Sequence, residues 1–124
     1  MNKTILVIED QEDNRRILRD LLTNSDFEVI EAVTGTDGVC IAETHHPDLI
    51  LMDIQLPGID GYEATRRIKA NPDLQKIPII VVTSYALSGD DVKAFEAGCD
   101  AYVTKPFSPR NLLAKIREFL PQST

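Results

Sequence analysis

The chain has 124 residues, 43% of them hydrophobic and 27% charged, with a formal net charge of −7. That length suits one domain, residues 1–124, with a core needing no metal or disulfide staple, and leaves no room for a second. The acidic balance argues against direct binding to nucleic acid, which needs clustered Lys and Arg, and no apolar run approaches the ~20 residues of a membrane span.

Met1-Asn2-Lys3-Thr4 leads directly into a strand without a signal-peptide pattern, so a cytoplasmic location is expected. A strand over residues 4–9 is followed by a helix over 11–24, with Ile17, Leu18, Leu21 and Leu22 on one face. Residues 28–32 form a short strand, and 35–45 a helix carrying Val39, Ile41 and Ala42. The run at 48–53 is the next strand. It ends in the turn-rich Gln55-Leu56-Pro57-Gly58, and a helix covers 62–70. Residues 78–83 are a strand and 90–97 a helix closing at Gly98, which suits a left-handed C-cap. The last strand is 101–104, and the last helix, 109–120, turns Leu112, Leu113, Ile116, Phe119 and Leu120 inward. Cys40 and Cys99 are expected as buried small apolar residues rather than a disulfide.

Apolar runs separated by helix-period stretches read as buried parallel strands, joined by right-handed crossovers with helices on both faces. The carboxyl ends of such strands line one edge, where ligand sites of open α/β sheets form. Four runs end on phosphoryl-handling chemistry at that edge: Glu9-Asp10, Asp53, Thr83 and Lys105-Pro106.

Each of these residues also has an ordinary structural use. Asp10 can cap the following helix with Asp13 as its capping-box partner, Asp53 can open an Asx-turn, Thr83 can be a β-branched strand residue, and Lys105 can be solvated. Their shared position weakens those separate accounts. Ionised Glu9, Asp10 and Asp53 on adjacent strand ends repel, and a hard cation such as Mg²⁺ relieves that repulsion at neutral pH. His45 and His46 diverge by about 100° on a helix, which suits a polar helix end rather than a metal pair.

Glu9-Asp10, Asp53 within Leu49-Ile50-Leu51-Met52-Asp53-Ile54-Gln55-Leu56-Pro57-Gly58-Ile59-Asp60-Gly61, Thr83-Ser84, Tyr102 and Lys105-Pro106-Phe107 together resemble the receiver domain of two-component response regulators. The resemblance spans essentially the whole chain and is nearest to stand-alone receivers of the cell-division type. It implies a flavodoxin-like, chemotaxis-regulator-like α/β fold with a five-stranded parallel sheet in the order 2-1-3-4-5. It also implies that Asp53 accepts a phosphoryl group from a phosphohistidine of a sensor histidine kinase or histidine phosphotransfer protein. Asp10, Asp53 and the Gln55 backbone carbonyl would ligate Mg²⁺, with Glu9 reaching the ion through water. Thr83 and Lys105 would bind the phosphoryl group, and Tyr102 would turn inward on activation, changing the surface offered to a downstream protein target.

The same resemblance implies a cis bond before Pro106 and places Gln55 and Tyr85 beside the path of the water that hydrolyses the acyl phosphate. A haloacid-dehalogenase-type phosphatase uses similar parts, but needs an acid where Gln55 stands. A flavodoxin-like flavin carrier needs a phosphate loop where Gln11-Glu12-Asp13 would repel phosphate. A docking scaffold without phosphorylation would have no use for the intact acceptor, hydroxyl and lysine positions.

Overall fold

Strands and helices alternate in the computed structural model, which describes residues 2–83 and 90–121: β1 (Thr4–Ile8), α1 (Glu12–Thr23), β2 (Glu28–Ala32), α2 (Gly35–His45), β3 (Leu49–Asp53), α3 (Gly61–Ala70), β4 (Ile79–Thr83), α4 (Asp90–Ala97), β5 (Ala101–Thr104) and α5 (Pro109–Phe119). The five strands are parallel, in the order β2-β1-β3-β4-β5. Every residue of β3 and β4 is buried, as expected for central strands covered on both faces.

Alternation along the strands sorts the core into two layers. Leu6, Ile8, Ile50, Met52, Ile79 and Val81 pack with Ala42, Ala64, Ile68 and Ala94 of α2, α3 and α4. Ile5, Val7, Leu49, Leu51, Ile80 and Val82 pack with Leu18, Leu22, Leu112 and Ile116 of α1 and α5. Among the described residues, side-chain caps start α2, α3 and α5: Thr34 accepts from the Asp37 amide, Asp60 from Glu63 and Ser108 from Asn111. At the far end of α4, Gly98 takes a φ of 110°, a left-handed conformation natural to glycine.

Two expectations fail for one geometric reason, the direction of a side chain on a short helix. Ile17 is 57% exposed rather than part of the inward stripe, because Leu18 and Leu22 occupy the face of α1 toward the sheet. It borders a groove lined also by Asn14, Lys105, Phe107 and Pro109. Cys40 is exposed, since α2 turns Gly35, Gly38 and Ala42 inward and Cys40 lies about 200° of helical rotation from both Gly38 and Ala42. Cys99 is buried and, like Cys40, unbridged. No helix among the described residues is long and apolar enough to cross a membrane.

Candidate functional site

Register carries the chemistry to one place. Ile8 pairs with Met52, so Glu9 follows alongside Asp53; Asp53 pairs with Val82, so Thr83 lies one residue further; Thr83 pairs with Thr104, and Lys105 comes next. Backbone bonds extend this order past the strands, with Glu9 N donating to Ala32 O at 3.0 Å and Lys105 N to Thr83 O at 2.6 Å. The Lys105-Pro106 peptide bond is cis.

Ligand oxygens of Glu9, Asp10 and Asp53 all lie within 4.8 Å of one another. Glu9 is 2% and Asp53 9% exposed, whereas Asp10 is half-buried. Lys105 Nζ is 2.9 Å from Glu9 Oε1, and the Gln11 amide donates to Glu9 Oε2 at 3.1 Å. Asp10 does not cap α1. The N-cap residue is Gln11, which makes no side-chain cap bond, and Asp10 Oδ2 accepts from Gln11 Nε2 at 3.4 Å.

The two buried carboxyls are held apart in acidity. Burial pushes Asp53 up to about 7, reinforced by the charge of Glu9 and opposed by Lys105 and the Gln55 amide. Burial acts on Glu9 in the same direction, but bonds from Lys105 and the Gln11 amide outweigh it and hold Glu9 below its ordinary value. Without a cation, one proton is therefore kept on Asp53 near neutrality, between two carboxyls that repel when both are charged. Hard oxygen donors crowded in this way, with too little positive charge nearby, suit Mg²⁺, which takes a few carboxylate oxygens and keeps several waters.

The remaining predicted residues surround this cluster unequally. Thr83 is fully buried at the end of β4, and Gln55 is exposed with its backbone amide directed to Asp53. Tyr102 is partly buried against the core layer formed with α2, α3 and α4. Tyr85 and Ser84 lie outside the described residues. Gly61 presses the start of α3 against the strand end that carries Asp53: a Cβ there would collide with the Asp53 carbonyl oxygen. Sequence reasoning passed over Arg15, whose Nη1 donates to the carbonyls of both Glu9 and Asp10 at 3.1 Å. The available signal was an arginine one turn into a helix that follows an acid pair and lacks a strong capping residue.

A family model described as the response regulator receiver domain matches residues 5–117. The chain belongs to the receiver-domain family. The polar-differentiation response regulator DivK of Brucella ovis is 41% identical over 120 residues, covering 97% of this chain and 98% of its relative. The solved receiver domain of the sensor histidine kinase PA1611 from Pseudomonas aeruginosa is 34% identical with a TM-score of 0.91, covers 98% of this chain and 100% of that one, and has a magnesium ion coordinated in its active-site cleft. A CheY-like receiver domain protein from Methanospirillum hungatei is 35% identical with a TM-score of 0.88, over 97% of this chain and 94% of that one. The receiver thus has a phosphoacceptor role in two-component signalling.

Proposed function

We propose that this receiver takes a phosphoryl group from a phosphohistidine onto Asp53, with Mg²⁺ held by Asp10, Asp53 and the Gln55 backbone carbonyl, and by Glu9 through water. The observation that carries the reading is the convergence of three carboxylates within 4.8 Å at the strand ends, one of them, Asp53, shifted toward neutrality by its burial and by the charge of Glu9. Bound there, the ion would offset negative charge on the transferring oxygens and on the acids themselves.

The chain's own residues supply the rest. An Asp53 oxygen attacks phosphorus; the new P–O bond forms as the P–N bond to the donor imidazole breaks, and the imidazole nitrogen keeps the bonding pair. Positioning is the main demand in such a transfer, because the moving group needs alignment and charge compensation more than covalent assistance. Lys105, bonded to Glu9 in the resting state, is within the same cluster and exchanges that partner for a phosphoryl oxygen. Thr83 donates its hydroxyl to another oxygen, and Tyr102 follows into the space released, biasing the protein between two surface shapes.

The donor is a sensor histidine kinase or histidine phosphotransfer protein and the output a protein target, which implies a cytoplasmic setting. The receiver contributes catalytically to its own phosphorylation and dephosphorylation, with Gln55 and Tyr85 tuning the approach of water. The test is intact-mass measurement after incubation with acetyl phosphate and Mg²⁺. One added phosphoryl group in the parent and none in Asp53→Asn is the expected result. Full labelling of Asp53→Asn would move the acceptor elsewhere.

A further inference from the structure

Behind the acid cluster runs a second polar network that does not touch its carboxylates. The loop from β1 to α1 carries Glu9 and Asp10, and α1 begins without a side-chain cap. Its order comes instead from within the helix. Arg15 Nη1 lies 3.1 Å from Glu9 O and 3.1 Å from Asp10 O, so one guanidinium nitrogen holds two successive carbonyls. The same guanidinium is anchored from the other side: Arg15 Nε stands 3.4 Å from Glu31 Oε1 on β2, and Arg19 Nη1 donates to both Glu31 oxygens at 3.0 and 2.9 Å. The Arg15 side chain is only 16% exposed. A rigid strand is thereby connected, through a carboxylate and a planar fork, to the peptide units of the two acids.

We propose that Arg15 is a positioning residue for the cation site, acting on Glu9 and Asp10 through their backbone carbonyls rather than by contact with ion or phosphate. The proposal rests on the reading that Glu9, Asp10 and Asp53 hold a divalent cation. With both carbonyls tied to one group, the peptide plane between them loses rotational freedom. The carboxylates it carries then stay where they converge. Charge works in the opposite direction, because a guanidinium near a cation site repels the ion. Glu31 reduces that repulsion by pairing with Arg15, and the outcome is measurable because positioning and repulsion predict opposite signs.

The experiment is a Mg²⁺ titration followed by backbone-amide NMR on the parent, Arg15→Met, Arg15→Lys and Asp10→Asn, with phosphoryl incorporation from acetyl phosphate measured across the same Mg²⁺ range. Arg15→Met should weaken Mg²⁺ binding about tenfold, the lower end of what removing a partner that orients a metal ligand does. Arg15→Lys keeps the charge but loses the fork, and should be weakened less. At saturating Mg²⁺ both variants should label at a rate within about twofold of the parent, since only the ion's half-saturation is altered. Unchanged or tighter binding in Arg15→Met overturns the proposal, tighter binding marking simple repulsion. A rate that stays low at saturating Mg²⁺ also overturns it, by revealing a general structural role. Should Arg15→Met fail to fold, Arg15→Lys decides, and binding equal to the parent's counts against the proposal. Unweakened binding in Asp10→Asn would instead overturn the cation site itself, whatever Arg15 does.

Discussion

Replacing Asp53 with Asn should make the metal-free receiver more stable at pH 8, although it removes the carboxylate proposed above as the phosphoryl acceptor. Asp53 is 9% exposed and its acidity is displaced from 3.8 to about 7 by burial and by the charge of Glu9. Because the folded value is raised, the native state holds a proton between those limits that the unfolded chain has released. Stability therefore falls as pH rises from about 4 to about 7, and the full cost is present above that. The gap between 3.8 and about 7 corresponds, at 1.36 kcal/mol per pH unit, to about 4 kcal/mol, an upper bound shared with Glu9. Asn keeps the shape and a donor for Glu9 without the charge. We expect a gain of about 2–4 kcal/mol at pH 8 and much less at pH 5, from urea unfolding in EDTA followed by far-UV circular dichroism, the chain having no Trp. Saturating Mg²⁺ should narrow or reverse the difference, because the ion stabilises the parent through its anionic ligands. A variant no more stable than the parent at pH 8, or one with the same gain at both pH values, would refute the reasoning.

Lys105→Met should destabilise the protein by about 2–3 kcal/mol at pH 8 by leaving buried Glu9 without its charged partner. Glu9 is held below its ordinary value in the parent, so its pairing contributes stability above pH 4.5 that is lost as pH falls, and the deficit should shrink by pH 4; an equal deficit at both ends would dissociate the effect from Glu9. Thr65 on α3 is fully buried, and its hydroxyl has no hydrogen-bond partner among the described residues. Thr65→Val should accordingly raise stability by about 1 kcal/mol in thermal unfolding, and a loss would mean that the hydroxyl is satisfied in solution. Asp60→Ala removes the acceptor for the Glu63 amide at the start of α3 and should cost about 1 kcal/mol, with no effect on the unfolding slope in urea.

The sheet and most of its site were readable because parallel strands buried on both faces leave uninterrupted apolar runs. Leu49–Asp53 and Ile79–Thr83 announce both a strand and the residue placed at its working end. β2, with Glu at positions 28 and 31, is an edge strand and is recognised only by its short apolar centre and spacing. Strand order came from family resemblance, since local sequence carries no record of which strand lies beside which. Ile17 and Cys40 were misjudged because short helices spread apolar residues around more than half their circumference, and the exact rotation against the sheet depends on packing. Two interactions were beyond reach for another reason. Lys105 meets Glu9 across 96 positions, and the bonds of Arg15 go to backbone carbonyls, which have no residue identity to read.

At the opposite edge of the sheet, Lys69 Nζ donates to Gln75 O at 3.0 Å, Ile77 O at 2.8 Å and Asp100 Oδ2 at 2.8 Å, while Asp100 Oδ2 also accepts from the Ile79 amide at 2.9 Å. This clasp joins the exit of α3 to the entrances of β4 and β5. On the proposed mechanism the two rims answer to different masters: one changes charge as the phosphoryl group comes and goes, while the other is held by an ion pair and backbone bonds at the far ends of the strands. Amides at the amino ends of β4 and β5 should exchange with solvent equally slowly before and after phosphorylation, making that rim the fixed frame against which movement of the other is measured.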